Sequence, residues 1–223
     1  GNTTTFTYEA TFNRITSVTG PTGNVVQLER DPQGNLVGVV DASGQRTAVV
    51  YDAQGQPLSV TDPLGNATAY TYDAVGNPVM IADPLGNTTR ISYDAVSRMV
   101  EHADALGRTT RFSYDALNRL IGRVNSLSGT TNVTYDGNGN IVTITDPQGQ
   151  STTHTHDSMD RLTSRTYPGG GTETYEYDIA GNLARYTDRN SRLVTHGYDA
   201  RRRRVSTTYS DGTVTRLTYD AAE

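Results

Sequence analysis

Two histidines, one acidic loop and one arginine run are the places where this chain has residue types suited to chemistry. His154-Thr155-His156-Asp157 separates two imidazoles by one residue, which on a strand puts both on one face, as a zinc site requires. Asp136-Gly137-Asn138-Gly139-Asn140 resembles the start of a calcium loop, but Ile141 stands where such a loop needs glycine and Pro147 where it needs a bidentate glutamate. Arg201-Arg202-Arg203-Arg204 would attract an acidic partner. Other constellations are lacking: there is no cysteine nucleophile, no Gly-x-Ser-x-Gly elbow, no phosphate loop leading into a helix and no carboxylate pair outside recurring positions. The expectation is a protein that is not an enzyme and uses no cofactor and no metal.

The elements that must position these residues are set by a repeat. Tyr-Asp pairs fall at Tyr51-Asp52, Tyr72-Asp73, Tyr93-Asp94, Tyr114-Asp115, Tyr135-Asp136, Tyr177-Asp178, Tyr198-Asp199 and Tyr219-Asp220, every spacing being 21 residues or a multiple of it. His156-Asp157 fills the one gap, and Arg30-Asp31 stands one interval before Tyr51. Tyr8-Glu9 lies 22 residues before Arg30, so the first unit carries one extra residue, as a bulge or a longer turn. These pairs are read as structural repeat positions. In that register His154 takes the slot of Tyr70 and Phe112, and His156 that of the tyrosine, so both read as aromatic substitutions in a ladder. The acidic loop is then the unit's ordinary Gly-Asn turn, and the arginine run a solvated turn that tolerates charge. The altered turns Tyr167-Pro168-Gly169-Gly170 and Asp188-Arg189-Asn190-Ser191 imply relaxed turn constraints in this half.

A second turn follows each tyrosine by about eleven residues, as in Asp62-Pro63-Leu64-Gly65-Asn66 and Asp83-Pro84-Leu85-Gly86-Asn87. Proline presets φ, aspartate bonds the backbone ahead of it, and glycine accepts the positive φ that closes the bend. Between turns lie two strand-like segments per unit, such as Leu36–Val40 or Ile141–Thr145, and Thr68–Tyr72. In the second kind Tyr70 alternates with Tyr72, Ile91 with Tyr93 and Phe112 with Tyr114, which places each pair on one face. The predicted fold is all-β: tandem 21-residue repeats of two short antiparallel strands, about 20 strands in all. That exceeds the roughly ten that open twisted sheets reach before curling, so the expected form is a curved or spiralling sheet, a shell or superhelical strip. The whole chain, 1–223, is read as one array of about ten repeats.

Composition agrees. An apolar fraction of 34% with three Phe and no Trp is lean for a closed two-layer core, while 14 Tyr and 22 Gly suit strands and turns. The net charge is −5, and the 19 basic residues, all arginine, are spread along the chain, so no nucleic-acid partner is implied. Without cysteine there is no disulfide framework. No apolar stretch has the roughly 18 residues of a membrane span, and no signal peptide is visible at Gly1.

The pattern Tyr-Asp-Ala-x-Gly-Asn-Leu, then Thr-Asp-Pro-x-Gly-Asn-Thr-Thr and a strand into the next Tyr-Asp, resembles the YD or Rhs repeat family along essentially the whole chain. That resemblance implies a spiralling β-sheet enclosing a hollow shell, as in bacterial Rhs and Tc toxins and the teneurin cell-surface proteins. It further implies a structural shell or scaffold module of a large secreted or cell-surface protein, helping to enclose or deliver a C-terminal toxin domain. The alternatives are a cell-surface recognition or adhesion module and a repeat filament. The implied partners are neighbouring repeats of the same or another chain and an encapsulated toxin domain, with end-to-end self-association through open strand edges. Gly1-Asn2-Thr3-Thr4 aligns with Gly86-Asn87-Thr88-Thr89, and the chain stops just after Tyr219-Asp220, so the expectation is a fragment cut within a repeat at both ends.

Overall fold

The computed structural model describes residues 3–220; Gly1-Asn2, used in the alignment above, lies outside them. The described residues contain no helix and 21 strands. They form two compact units, one up to Thr110 and one from Arg111 onward. The first holds β1 (Thr5–Tyr8), β2 (Ile15–Thr19), β3 (Val25–Arg30), β4 (Leu36–Val40), β5 (Arg46–Tyr51), β6 (Pro57–Thr61), β7 (Ala67–Tyr72), β8 (Pro78–Ala82), β9 (Thr88–Tyr93) and β10 (Met99–Ala103). The division falls within β11 (Thr109–Tyr114). The second unit continues with β12 (Leu120–Val124), β13 (Thr130–Tyr135), β14 (Ile141–Thr145), β15 (Ser151–His156), β16 (Leu162–Thr166), β17 (Thr172–Tyr177), β18 (Leu183–Thr187), β19 (Leu193–Tyr198), β20 (Arg204–Tyr209) and β21 (Val214–Arg216).

In each unit the strands pair antiparallel in chain order, a meander of hairpins. Contacts between elements join only sequence neighbours within a unit, so each unit is one layer thick. Among the described residues no apolar side chain is buried. The tyrosine-bearing strands alternate half-buried with exposed: in β7, Thr68, Tyr70 and Tyr72 share the covered face while Ala67, Ala69 and Thr71 face outward. Strand β15 repeats this with Thr152, His154 and His156.

The two kinds of hairpin differ in one respect that the repeat pattern does not announce. Hairpins closed by the second turn run in plain register, as in Val60↔Thr68 and Thr61↔Ala67. Those closed after the tyrosine carry a bulge: Val50 faces Ser59 but Tyr51 faces Pro57, leaving Leu58 as the extra residue. The same shift recurs at Tyr72, Tyr135, His156 and Tyr177.

Both turns share one backbone solution. In Asp62–Asn66 the Gly65 N–H donates to the Asp62 carbonyl (3.0 Å) and the Asp62 N–H to the Asn66 carbonyl (2.9 Å), a tight turn closed by a left-handed residue. The extra residue of the first unit enlarges its turn, where the Glu9 N–H reaches the Arg14 carbonyl across one more position. The altered turns are not relaxed, contrary to expectation. Gly170 N–H still donates to the Tyr167 carbonyl and Ser191 N–H to the Asp188 carbonyl, because backbone closure needs only a residue that accepts positive φ. Ser191 and Arg202 do so at 61° and 62°.

An L-residue in that region pays for its Cβ. Gly65→Ala, at φ 87°, should therefore lower stability by about 1 kcal/mol. Arg202→Gly should raise it by a few tenths to about 1 kcal/mol. Urea midpoints of the two variants against the parent chain check both signs.

Candidate functional site

The side chains that recur at every unit form one compact arrangement on the edge of the sheet where the tyrosine turns lie. The aspartate organises the turn. In Asp73-Ala74-Val75-Gly76-Asn77, Oδ1 accepts from the backbone N–H of Val75 (3.0 Å) and Asn77 (2.8 Å), and Oδ2 from Asn77 Nδ2 (2.9 Å). Such bonding favours the ionised carboxylate, so Asp73, Asp83, Asp136 and Asp178 are held below the ordinary aspartate value, the bond from the partner asparagine being the largest cause. Both oxygens of Asp136 are engaged in this way, by Asn138 and Asn140. The loop that resembles a calcium site is thus a turn whose carboxylate bonds its own backbone.

The tyrosine joins one unit to the one before. Its hydroxyl donates to the carbonyl of the residue fifteen positions earlier: Tyr51 to Leu36 (3.1 Å), Tyr72 to Pro57 (2.8 Å), Tyr135 to Leu120 (2.8 Å), Tyr177 to Leu162 (3.0 Å), Tyr198 to Leu183 (2.9 Å) and Tyr219 to Arg204 (2.9 Å). The accepting carbonyl sits at the bulged end of the preceding hairpin, as Pro57 does. Tyr93 and Tyr114 end β9 and β11 at the same point of the pattern. Arg30 instead donates to its own turn, to the Gly34 carbonyl at 3.2 Å. His156 keeps the register and the covered face but has no hydroxyl.

The residue four after the aspartate supplies a third part. In three units where it is arginine, the guanidinium bonds the turn carboxylate and lies on the next tyrosine ring. Arg119 is 2.7 Å from Asp115 and 4.5 Å from the Tyr135 ring centre, Arg161 is 2.6 Å from Asp157 and 4.4 Å from Tyr177, and Arg203 is 2.9 Å from Asp199 and 4.4 Å from Tyr219. The arginine run accordingly divides by role: Arg202 closes the turn, Arg203 joins Asp199 to Tyr219, and Arg204 opens β20. It is not simply a solvated turn.

A second cluster was not legible beforehand. On the covered face, His154 lies opposite Arg165 and Arg165 opposite Glu173. The Glu173 carboxylate, 12% exposed, accepts from the Tyr167 and Tyr175 hydroxyls at 3.0 Å each and has Arg165 at 3.6 Å and Arg189 at 4.0 Å. Tyr175 and Tyr186 pack with ring centres 5.2 Å apart and planes tilted by 42°, and Arg189 covers Tyr167 at 4.5 Å. Burial, then the bond to Glu173 and its charge, push the Tyr175 hydroxyl up to about 12. Burial first and the Arg165 charge second lower the His154 value. Among the described residues no group of three or more His, Asp or Glu side chains gathers as a metal would need, and a guanidinium opposite His154 is a poor neighbour for a cation. The only advance signal was that Tyr167 and Glu173 depart from the repeat.

A one-layer antiparallel meander whose units are fastened by a tyrosine–carbonyl bond and an aspartate turn defines a β-repeat protein. The sequence profile of the family described as RHS Repeat matches residues 11–47, 51–88, 93–131, 135–172 and 177–214, and the chain belongs to that family. Each match spans just under two of the 21-residue units. The fold is similar to that of TcdB2-TccC3 without its hypervariable C-terminal region, at a TM-score of 0.65 and 16% identity over 94% of this chain. It is also similar to TcdB2-TccC3 itself, at 0.63 and 16% over 94%. This chain spans 14% and 15% of the lengths of those chains. No curated protein matches it in sequence.

Three outcomes follow. Tyr135→Phe should cost about 1 kcal/mol and His156→Tyr should gain a similar amount, read as urea midpoints; the reverse order would dissociate the hydroxyl from stability. Because Asp73, Asp83, Asp136 and Asp178 titrate lower when folded than when unfolded, their stabilisation is complete above the unfolded value of about 4 and is lost as pH falls through the folded values. The melting temperature should therefore be level from neutral pH to about 5 and drop below about 4. Finally, Glu173→Gln should move the Tyr175 hydroxyl downward in an alkaline ultraviolet titration, since it removes the negative charge that helps to raise it and leaves only a neutral amide acceptor.

Proposed function

We propose that this chain is a wall-building module of a large Rhs-repeat protein, with a mechanical and not a catalytic role. The observation that carries this reading is the repeated Tyr-to-carbonyl bond in a sheet that buries no apolar side chain among the described residues. Each unit gains its stability from the next, which is how an array grows and encloses space. The Tyr and Asp positions act in it as fasteners and turn formers. In the finer form of the proposal, residues 1–223 are one stretch of a longer array in a secreted or surface protein whose wall holds a C-terminal toxin domain. The similarity in fold to TcdB2-TccC3 supports a shell of this general kind.

The test is protease protection in the longer protein. Cargo placed beyond the array should resist a protease that cuts it readily once it is separated from the array. Equal cutting in both states would end the enclosure reading.

The recognition reading has one observation in its favour. The turn tips carry aliphatic side chains in open solvent, with Leu64, Leu85 and Leu106 at 85%, 87% and 79% exposure. Replacing these three by serine should leave the melting temperature unchanged and abolish any cell-surface or glycan binding that the chain shows; retained binding would dismiss the tips as the contact.

A further inference from the structure

Every turn aspartate on the tyrosine edge from Asp31 to Asp199 has a side-chain donor on its Oδ2, with one exception among the described residues. Asn35, Asn77, Asn140 and Asn182 serve Asp31, Asp73, Asp136 and Asp178. Arg98, Arg119, Arg161 and Arg203 serve Asp94, Asp115, Asp157 and Asp199. At Asp52 the residue in that slot is Gln56, whose amide turns away to donate to the Gly76 carbonyl at 3.1 Å. Asp52 Oδ1 bonds the Gln54 and Gln56 N–H groups as usual, and Oδ2 is left without a side-chain partner. The Tyr72 ring ahead of it carries no guanidinium, and between them lies a cavity of about 540 Å³ whose lining includes Asp52, Gln56, Leu58, Tyr72, Asp73 and Gly76.

Three other units show what fits such a space. In each, a guanidinium bonds the aspartate Oδ2 and lies 4.4–4.5 Å from the centre of the following tyrosine ring. The last of them also borders a cavity, of about 460 Å³, but there Arg203 already forms a wall and holds both Asp199 and Tyr219. A planar guanidinium meets an acceptor at its edge and a ring at its face together, which a lysine ammonium does not.

We infer that the cavity between Asp52 and Tyr72 is a receptor for an arginine side chain presented by another polypeptide, which would complete the aspartate–guanidinium–tyrosine unit that the chain builds for itself elsewhere. The site is independent of the wall reading and stands or falls separately from it. It is selective for arginine because the turn carboxylate can take the guanidinium's edge while the ring takes its face.

The experiment is an NMR titration of the full chain with a blocked glycyl-arginyl-glycine tripeptide and its lysyl counterpart, observing the Tyr72 ring. The arginyl peptide should shift Tyr72 saturably and bind about tenfold more tightly than the lysyl one. Asp52→Asn should weaken it about tenfold without loss of the turn, since Asn125 makes the same backbone bonds to Leu127 and Gly129 in this chain. Gln56→Arg should fill the site from within, abolishing the shift and raising the melting temperature. Equal binding of both peptides, no shift at Tyr72, or undiminished binding to the Gln56→Arg variant would each overturn the assignment.

Discussion

The structure depends on sheets that, within each unit of the described residues, have no second layer to pack against. With one layer and no buried apolar side chain among the described residues, the area removed from water per residue is small, and hydrophobic burial of the usual kind contributes little. What remains is the backbone ladder and whatever ties one hairpin to the next. The tyrosine meets that need in two ways. Its ring covers the half-buried face, and its hydroxyl satisfies a carbonyl at the bulge of the previous hairpin. A phenylalanine would do the first and leave the second undone, so the hydroxyl explains why the repeat uses tyrosine.

The turns show how one carboxylate can serve several ends. Its Oδ1 fixes the backbone of the bend, and its Oδ2 receives the side chain four residues on. An asparagine there finishes the turn and can reach the next one, as Asn140 does through Asp160 at 2.7 Å. An arginine finishes the turn and also lies on the neighbouring ring. Both close the unit; the arginine adds charge and a larger contact. Glycine at the turn's end has a second use where the preceding unit's side chain crosses it: a Cβ on Gly76 would meet Gln56 Nε2 at 2.8 Å. At Ser97 and Asp160, which replace glycine, the crossing is itself a hydrogen bond, from Asn77 and Asn140.

The second unit departs from an apolar ladder without losing its register. Between His154 and Tyr186 the covered face carries Arg165 and Glu173, with two tyrosine hydroxyls donating to the carboxylate. A charged pair is tolerable because the face is only half-covered, so desolvation is partial, although Arg165 Nε and His154 Nδ1 are left without hydrogen-bond partners. Tyr167 makes this arrangement by replacing a turn aspartate: its backbone still closes the turn, and its side chain is released to the ladder.

Much of the fold was legible from the chain itself. A 21-residue period, two glycine-rich turns and alternation within the Tyr-bearing segments are local properties, and they determined the strand count, the antiparallel pairing and the shared face of Tyr70 with Tyr72 or His154 with His156. Local signals fix these because turn geometry and strand alternation are set by a few consecutive residues. The bulge beside the repeat tyrosines that end strands, the hydroxyl's partner fifteen residues away, the Arg119–Tyr135 contact and the meeting of Tyr167, Tyr175 and Arg189 on Glu173 were decided only in the folded sheet. Each joins residues that the pairing brings together from different strands or turns, and which atom finds which partner depends on strand twist, rotamer and burial that no spacing encodes.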